Sequence, residues 1–193
     1  MENQRKDENK ALKSGERQVR SSLNEIEANH LWRYREATNY IRHSDTVVDV
    51  GFGCGYGSNI MSKYAKTVIG VDDSKEAVEY ANKYWKADNI TFINKNAFDI
   101  KEKVDVGVAF EVIEHIKDYE NFIKQFKNLC QKYIVISVPH VSVPLTKSSW
   151  HWRHFKKEEI IALFEDDNWK TVRIEEPMFG KGKAVFAVFE RKS

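Results

Sequence analysis

Cysteine is nearly absent from this chain. The two present, Cys54 and Cys130, have neither the spacing of a metal-binding pair nor the number for a disulfide framework, which suits a reducing compartment. No stretch reaches the roughly 18 consecutive apolar residues of a membrane helix, and the start lacks the apolar core of a signal peptide. A cytoplasmic protein without a membrane partner is expected. An excess of either charge is also missing: 31 basic residues face 29 acidic ones, a net charge of +2. Long-range attraction to nucleic acid is therefore not declared, and any RNA contact must rest on a local patch. There is no internal repeat and no low-complexity stretch. With 193 residues, 41% hydrophobic and 12% aromatic, the chain can bury one substantial core and has no room for a second full domain. Residues Met1–Arg20 carry hardly an apolar side chain and cannot repay the entropy of ordering. A flexible tail is expected over 1–20 and a single folded domain over 21–193.

What is present is a regular alternation. Apolar runs at Thr46–Val50, Thr67–Val71, Ile90–Ile93, Val104–Phe110 and Tyr133–Val138 read as strands. Between them, Ser58–Ala65, Lys75–Trp85 and Asp118–Lys132 carry helical spacing, as in Phe122, Phe126 and Leu129. A further amphipathic helix is expected over Asn24–Arg42, with Leu31, Tyr34, Ala37 and Ile41 on one side. Strand–helix alternation with β-branched strands covered on both faces indicates an α/β fold with a doubly wound, mostly parallel sheet. The end differs: after a helix near Lys157–Glu165, Lys170–Glu176 and Ala184–Glu190 are joined only by a Pro/Gly-containing connection, which suits a hairpin.

The most informative segment is Val47–Gly57, an apolar strand that runs into Asp49 and then Gly51, Gly53, Gly55 and Gly57 on alternate positions. Glycine permits positive φ and close backbone approach, so this strand-to-helix turn can present N–H groups to a nucleotide-like cofactor. Tyr56 stands where a dinucleotide fingerprint would have its third glycine, which disfavours a pyrophosphate ligand and a nicotinamide oxidoreductase. In an open α/β sheet ligands lie beyond the carboxyl ends of the strands. Asp72 closes the second strand at the ~20-residue interval expected of an acid that takes ribose hydroxyls, and Asp73 beside it is either a further contact or a helix N-cap. Asn96, Ala97 and Phe98 follow the third strand, as adenine contacts or as a polar turn with a core ring. Phe110 and Glu111 end the fourth.

These residues resemble the class I S-adenosylmethionine-dependent methyltransferases over most of the chain, from about Gly15 onward. In that family the acidic-x-Gly-x-Gly-x-Gly pattern matches Asp49, Gly51, Gly53 and Gly55, the ribose acid matches Asp72 and the adenine-side polar residue matches Asn96, where Asp is commoner. The resemblance implies seven strands with an antiparallel last strand, and S-adenosyl-L-methionine as cofactor. Its binding set comprises Asp49, Gly51, Gly53, Gly55, Asp72, Asp73, Asn96, Ala97 and Phe110. The upstream Ser14-Gly-Glu-Arg and His30–Tyr34 segments look like the N-terminal part of bacterial members that modify small molecules. There Arg33 and Tyr34 close over the cofactor, the alternative being a surface charge and a core ring.

Glu111, Glu114 and His115, with a downstream histidine, look like the Glu-x-x-Glu-His pattern of metal-assisted O-methyltransferases that act on ubiquinone precursors or on the terminal 2′-hydroxyl of small RNAs. His151 is the best match for the downstream ligand and His154 the second. On a helical turn Glu111 would share a face with Glu114 and His115, and a divalent ion there would act as Lewis acid and template. Without metal, His115 or His151 remains a candidate general base, with Glu114 beside them. Trp150, Trp152, Phe155, Lys147 and Arg153 either stack on a planar acceptor or anchor the loop. His140 lies near the same mouth. The expected activity is methyl transfer to oxygen or nitrogen of a small molecule. RNA 2′-O-methylation and a non-catalytic S-adenosylmethionine-binding module are the alternatives.

Overall fold

The computed structural model describes residues 12, 17–145, 150–180 and 182–192. Helix α1 (Ala28–Thr38) precedes strand β1 (Thr46–Val50), followed by α2 (Tyr56–Ser62), β2 (Thr67–Asp72), α3 (Lys75–Tyr84), β3 (Ile90–Asn94) and β4 (Val104–Phe110). Then come α4 (Tyr119–Leu129), β5 (Cys130–Pro139), α5 (Lys157–Phe164), β6 (Trp169–Glu175), β7 (Met178–Phe179) and β8 (Gly182–Arg191). The sheet order is β3-β2-β1-β4-β5-β8-β6. The first five strands pair in parallel, and β8 runs antiparallel to both β5 and β6. Seven strands form this path, as the family resemblance implied. The eighth, β7, is a two-residue return that pairs only with β8 across a turn containing Gly180, whose φ is +60°. Strand order reverses between β1 and β4, which puts the ligand crevice of such a sheet above their carboxyl ends.

Side chains one residue apart point to opposite faces of a strand, and both faces here are apolar. Val47, Val106, Val108 and Val135 join Tyr34, Ala37, Met61, Tyr80 and Ala81 under α1, α2 and α3. Val48, Val50, Ala109, Ile134 and Ile136 join Phe122, Phe126, Ile160 and Phe164 under α4 and α5. The near-continuous β-branched runs are thus what a central parallel strand needs when helices cover both sides. Cys54 and Cys130 are buried free thiols within these layers. Among the described residues no helix is long and apolar enough to cross a membrane.

Some local details depart from expectation, among them the second helix, which runs Tyr56–Ser62 and not Ser58–Ala65. Helix α1 is shorter than Asn24–Arg42, and Leu23–Glu25 forms a separate 3-10 turn. Helix α4 stops at Leu129, and β5 begins at once at Cys130, whose carbonyl accepts from Arg191 at 2.9 Å. Ser74, not Asp73, caps α3: its hydroxyl accepts from Ala77 N at 3.1 Å, while Asp73 is exposed. Most of the expected flexible tail lies outside the described residues. Of its described part, Leu12 and Val19 are buried, and the Trp85 indole donates to the Arg20 carbonyl at 3.1 Å.

Candidate active site

The glycine loop fills the turn between β1 and α2. Gly51, Gly53 and Gly55 have φ of +68°, +61° and +92°, a region that costs any residue with a β-carbon. A β-carbon at Gly55 would also lie 2.6 Å from that of Ala81, whereas at Gly53 it would meet, among the described residues, only Arg17 Cγ, at 3.8 Å. Gly55 is therefore needed for packing, and Gly53 faces an open approach of the kind a cofactor requires.

Asp49, fully buried by the loop, accepts from the Ser58 hydroxyl at 2.6 Å through Oδ2, while its buried Oδ1 has no hydrogen bond of ordinary geometry, the Tyr34 hydroxyl being only near enough to steady the carboxylate. Burial drives its carboxyl up to about 7, against the opposing pull of Ser58 and Tyr34. An unpaired, desolvated carboxylate oxygen fits a cationic donor. Tyr34 is buried, its ring so close to Gly57 that a β-carbon there would lie 2.0 Å from it, and it packs edge-on to Tyr56 and Phe110. Phe110 backs Tyr34 and Phe186 and is buried.

Asp72 ties β2 to the loop by accepting from Gly53 N and Ser74 N, each at 3.0 Å. Its Oδ1 also takes Arg17 Nη2 at 3.0 Å. Burial raises the Asp72 carboxyl, with the Arg17 guanidinium opposing. Arg17 ends the Ser14-Gly-Glu-Arg segment but was not among the expected site residues; one cation among several in a polar stretch has no periodicity to mark it. Asn96 and Ala97 follow β3, which pairs with β2 through Asp72 and Asn94. Asn96 Oδ1 already accepts from Phe98 N at 3.0 Å, so the turn reading holds for that oxygen.

Arg33 projects from α1 to the end of β4. It is 5% exposed, with Nη2 3.3 Å from Glu111 Oε1 and the guanidinium 4.7 Å above the Phe179 ring, while Nε and Nη1 are buried without hydrogen-bond partners. Two unsatisfied donors on a buried cation are expensive, and a ligand carboxylate would complete them.

Glu114, His115 and His151 converge: one ligand atom from each lies within 4.8 Å of the others, and Glu114 is fully buried. The loop after β5 is bound to this group through Trp152 N on the Glu114 carbonyl at 2.8 Å and His115 Nδ1 on the Trp150 carbonyl at 3.1 Å. Glu111 is not brought into the group. It has a φ of +55°, and the turn that follows spans only Ile113–His115, so no helical face joins Glu111 to Glu114. Its carboxylate instead accepts from the Ser137 hydroxyl at 2.8 Å and faces Arg33. A metal, if held here, draws on Glu114, His115 and His151.

The surrounding loop divides the aromatic stretch. Trp150 and Trp152 are 58% and 60% exposed, while Phe155 is fully buried and anchors the segment. Arg153 packs over Tyr119 and Phe155 and pairs with Glu159; Lys147 lies outside the described residues. His140 pairs with Glu176 at 3.2 Å and with the Ser142 hydroxyl at 2.8 Å. A cleft of about 420 Å³ between α4 and α5, lined by Lys127, Asp166, Trp169 and Arg191, gathers none of the expected site residues.

Residues 20–172 match the model of a family described as a methyltransferase domain. The chain is 32% identical over 90 residues to a ubiquinone biosynthesis O-methyltransferase of Pelagibacter ubique, a match covering 45% of this chain and 38% of that protein. It is 25% identical over 130 residues to a probable S-adenosylmethionine-dependent methyltransferase of Mycobacterium tuberculosis, covering 62% and 47%. The chain thus spans less than half the length of these curated relatives. Among solved structures, the N-methyltransferase NodS of Bradyrhizobium japonicum with S-adenosyl-L-homocysteine superposes with a TM-score of 0.69 at 15% identity, covering 86% of this chain and 85% of that one. The magnesium protoporphyrin IX methyltransferase of Synechocystis gives 0.73 at 17%, covering 84% of each. At these identities the likeness is one of fold. Sequence match and architecture agree, and the chain belongs to the methyltransferase domain family, with the fold of the class I S-adenosylmethionine-dependent enzymes.

Proposed function

We propose that this chain is an S-adenosylmethionine-dependent methyltransferase acting on a hydroxyl of a small-molecule acceptor. The observation that carries the oxygen assignment is the convergence of Glu114, His115 and His151 within 4.8 Å, beyond the end of β4. A hydroxyl acceptor must lose its proton, and this group is equipped for that.

The vacant valences around the loop suit the cofactor. Asp49 Oδ1 offers a carboxylate to its ammonium, and Nε and Nη1 of Arg33 offer donors to its carboxylate. Asp72 holds the ribose hydroxyls once Arg17 yields or shares the carboxylate; Asn96 and Ala97 flank the adenine side. When bound, S-adenosylmethionine supplies a methyl on a sulfonium that leaves as a neutral thioether as the acceptor oxygen attacks. A divalent cation held by Glu114, His115 and His151 would supply Lewis-acid assistance by lowering the pKa of the acceptor hydroxyl. Without it, His151 or His115 takes that proton as general base. In either case these side chains orient the acceptor oxygen toward the methyl group, a positioning task that accounts for much of such catalysis. The likeness to ubiquinone O-methyltransferases supports a hydroxylated aromatic acceptor.

The exposed Trp150 and Trp152 rings, with Lys117 Nζ 5.3 Å above the latter, support a second reading in which the hydroxyl is a terminal ribose 2′-hydroxyl of RNA. Mass spectrometry of the purified chain with S-adenosylmethionine, a panel of catechols and phenols, and a short RNA tests both, with and without chelator. Methylated phenol is the expected product. Methylation of RNA alone favours the second reading, and methylation only of amine acceptors would refute oxygen transfer.

A further inference from the structure

His154, the second candidate for the downstream ligand, is 6% exposed, lies outside the group of Glu114, His115 and His151, and stands directly behind His151. Its Nε2 is 2.7 Å from His151 Nδ1, and its Nδ1 is 2.8 Å from the Val143 carbonyl. With both rings neutral, the proton positions follow by elimination. A carbonyl oxygen only accepts, so His154 Nδ1 must carry the hydrogen. A neutral imidazole has one N–H, so His154 Nε2 is then an acceptor and His151 Nδ1 must be its donor. His151 is left with its lone pair on Nε2. His115 is arranged alike, since its Nδ1 donates to the Trp150 carbonyl at 3.1 Å and leaves Nε2 as its own lone-pair nitrogen.

We propose that His154 is a positioning residue that holds His151 as the Nδ1–H tautomer and so presents the Nε2 lone pair to the acceptor site. A free imidazole favours the opposite form, with the hydrogen on Nε2, so the backing hydrogen bond is what reverses the preference. The segment that carries His154 is itself fixed. Phe155, fully buried, donates its N–H to Pro139 O at 3.1 Å and accepts from Val141 N at 3.2 Å, which pins the end of the loop to the end of β5. The two rings cross at 64° with centroids 5.0 Å apart, a hydrogen-bonding and not a stacking arrangement. Either role of His151 uses the same lone pair, as metal ligand or as proton acceptor. The consequence for catalysis rests on the function proposed above, whereas the tautomer rests on the hydrogen-bond chain alone. An outer partner of this kind typically changes metal affinity by roughly 10–100-fold.

The test is long-range proton–nitrogen correlation NMR on the uniformly ¹⁵N-labelled full chain, above the ordinary histidine range so that neutral rings are observed, combined with Mn²⁺ titration by calorimetry. The expected result is a protonated Nδ1 and an unprotonated Nε2 on both His151 and His154. His154→Phe should return His151 to the Nε2–H form and weaken Mn²⁺ binding by about 10-fold or more. His154→Gln should preserve both, because its amide oxygen can still accept from His151. A hydrogen on His151 Nε2 in the unmodified chain would overturn the proposal, as would unchanged His151 nitrogens in His154→Phe. If that variant does not fold, the unmodified chain's spectrum decides alone. The expected tautomer together with absence of Mn²⁺ binding would uphold His154 and remove the metal from the proposed function.

Discussion

Replacing Asp49 by Asn should stabilise the empty protein and weaken its grip on the cofactor. Asp49 is fully buried, and its carboxyl rises from the ordinary 3.8 to about 7 because burial penalises the ionised form. At 1.36 kcal/mol per tenfold, that rise corresponds to roughly 4 kcal/mol of penalty once the group is ionised. The sign follows from linkage. Between the unfolded value and about 7 the folded chain holds a proton that the unfolded chain has lost, so stability falls as pH rises through this window and the full penalty is present above about 7. Asp49→Asn removes it, though the amide must reorient against Ser58, so a gain of at least ~1 kcal/mol is expected at mildly alkaline pH. The gain should vanish at pH near 4. Affinity for S-adenosylmethionine should move the other way: in the unmodified chain it rises with pH until Asp49 is ionised, and in Asp49→Asn it is weaker and flat. Urea unfolding at acidic and alkaline pH, paired with calorimetry over the same range, reads both effects. A variant less stable than the parent at alkaline pH, or a parent affinity independent of pH, would refute the assignment of Asp49.

Asp72→Ala should weaken S-adenosylmethionine by at least ~1 kcal/mol in the same calorimetry, as loss of charge-assisted hydrogen bonds does. Phe126 is 1% exposed and stacks on Phe122 at 5.4 Å; Phe126→Ala should cost about 3–5 kcal/mol in urea unfolding. Glu114→Ala and His115→Ala should each abolish any stimulation of turnover by Mn²⁺ or Mg²⁺, and a retained stimulation would place the metal elsewhere.

The parallel core was legible because its strands are β-branched runs apolar on both faces, as Val47 and Val48 show by entering opposite layers. The glycine loop was legible because positive φ restricts residue choice at Gly51, Gly53 and Gly55. The finer site was not. Glu111 sits at helical spacing from Glu114, yet its left-handed backbone and its bond to Ser137 turn it toward Arg33. Arg17 meets Asp72, 55 positions away in the chain, and no local pattern announces such a pairing. His151 and His154 are three residues apart on a loop, where spacing says nothing of direction; only the carbonyl of Val143 reveals which ring backs the other.

The measurement that bears most directly on the central claim is calorimetric titration of the purified chain with S-adenosylmethionine and S-adenosylhomocysteine, with NAD as control. Micromolar binding of the first two and none of NAD is expected from the unpaired Asp49 and Arg33 atoms beside a loop without a pyrophosphate fingerprint. Binding of NAD alone, or of none of the three, would contradict the account.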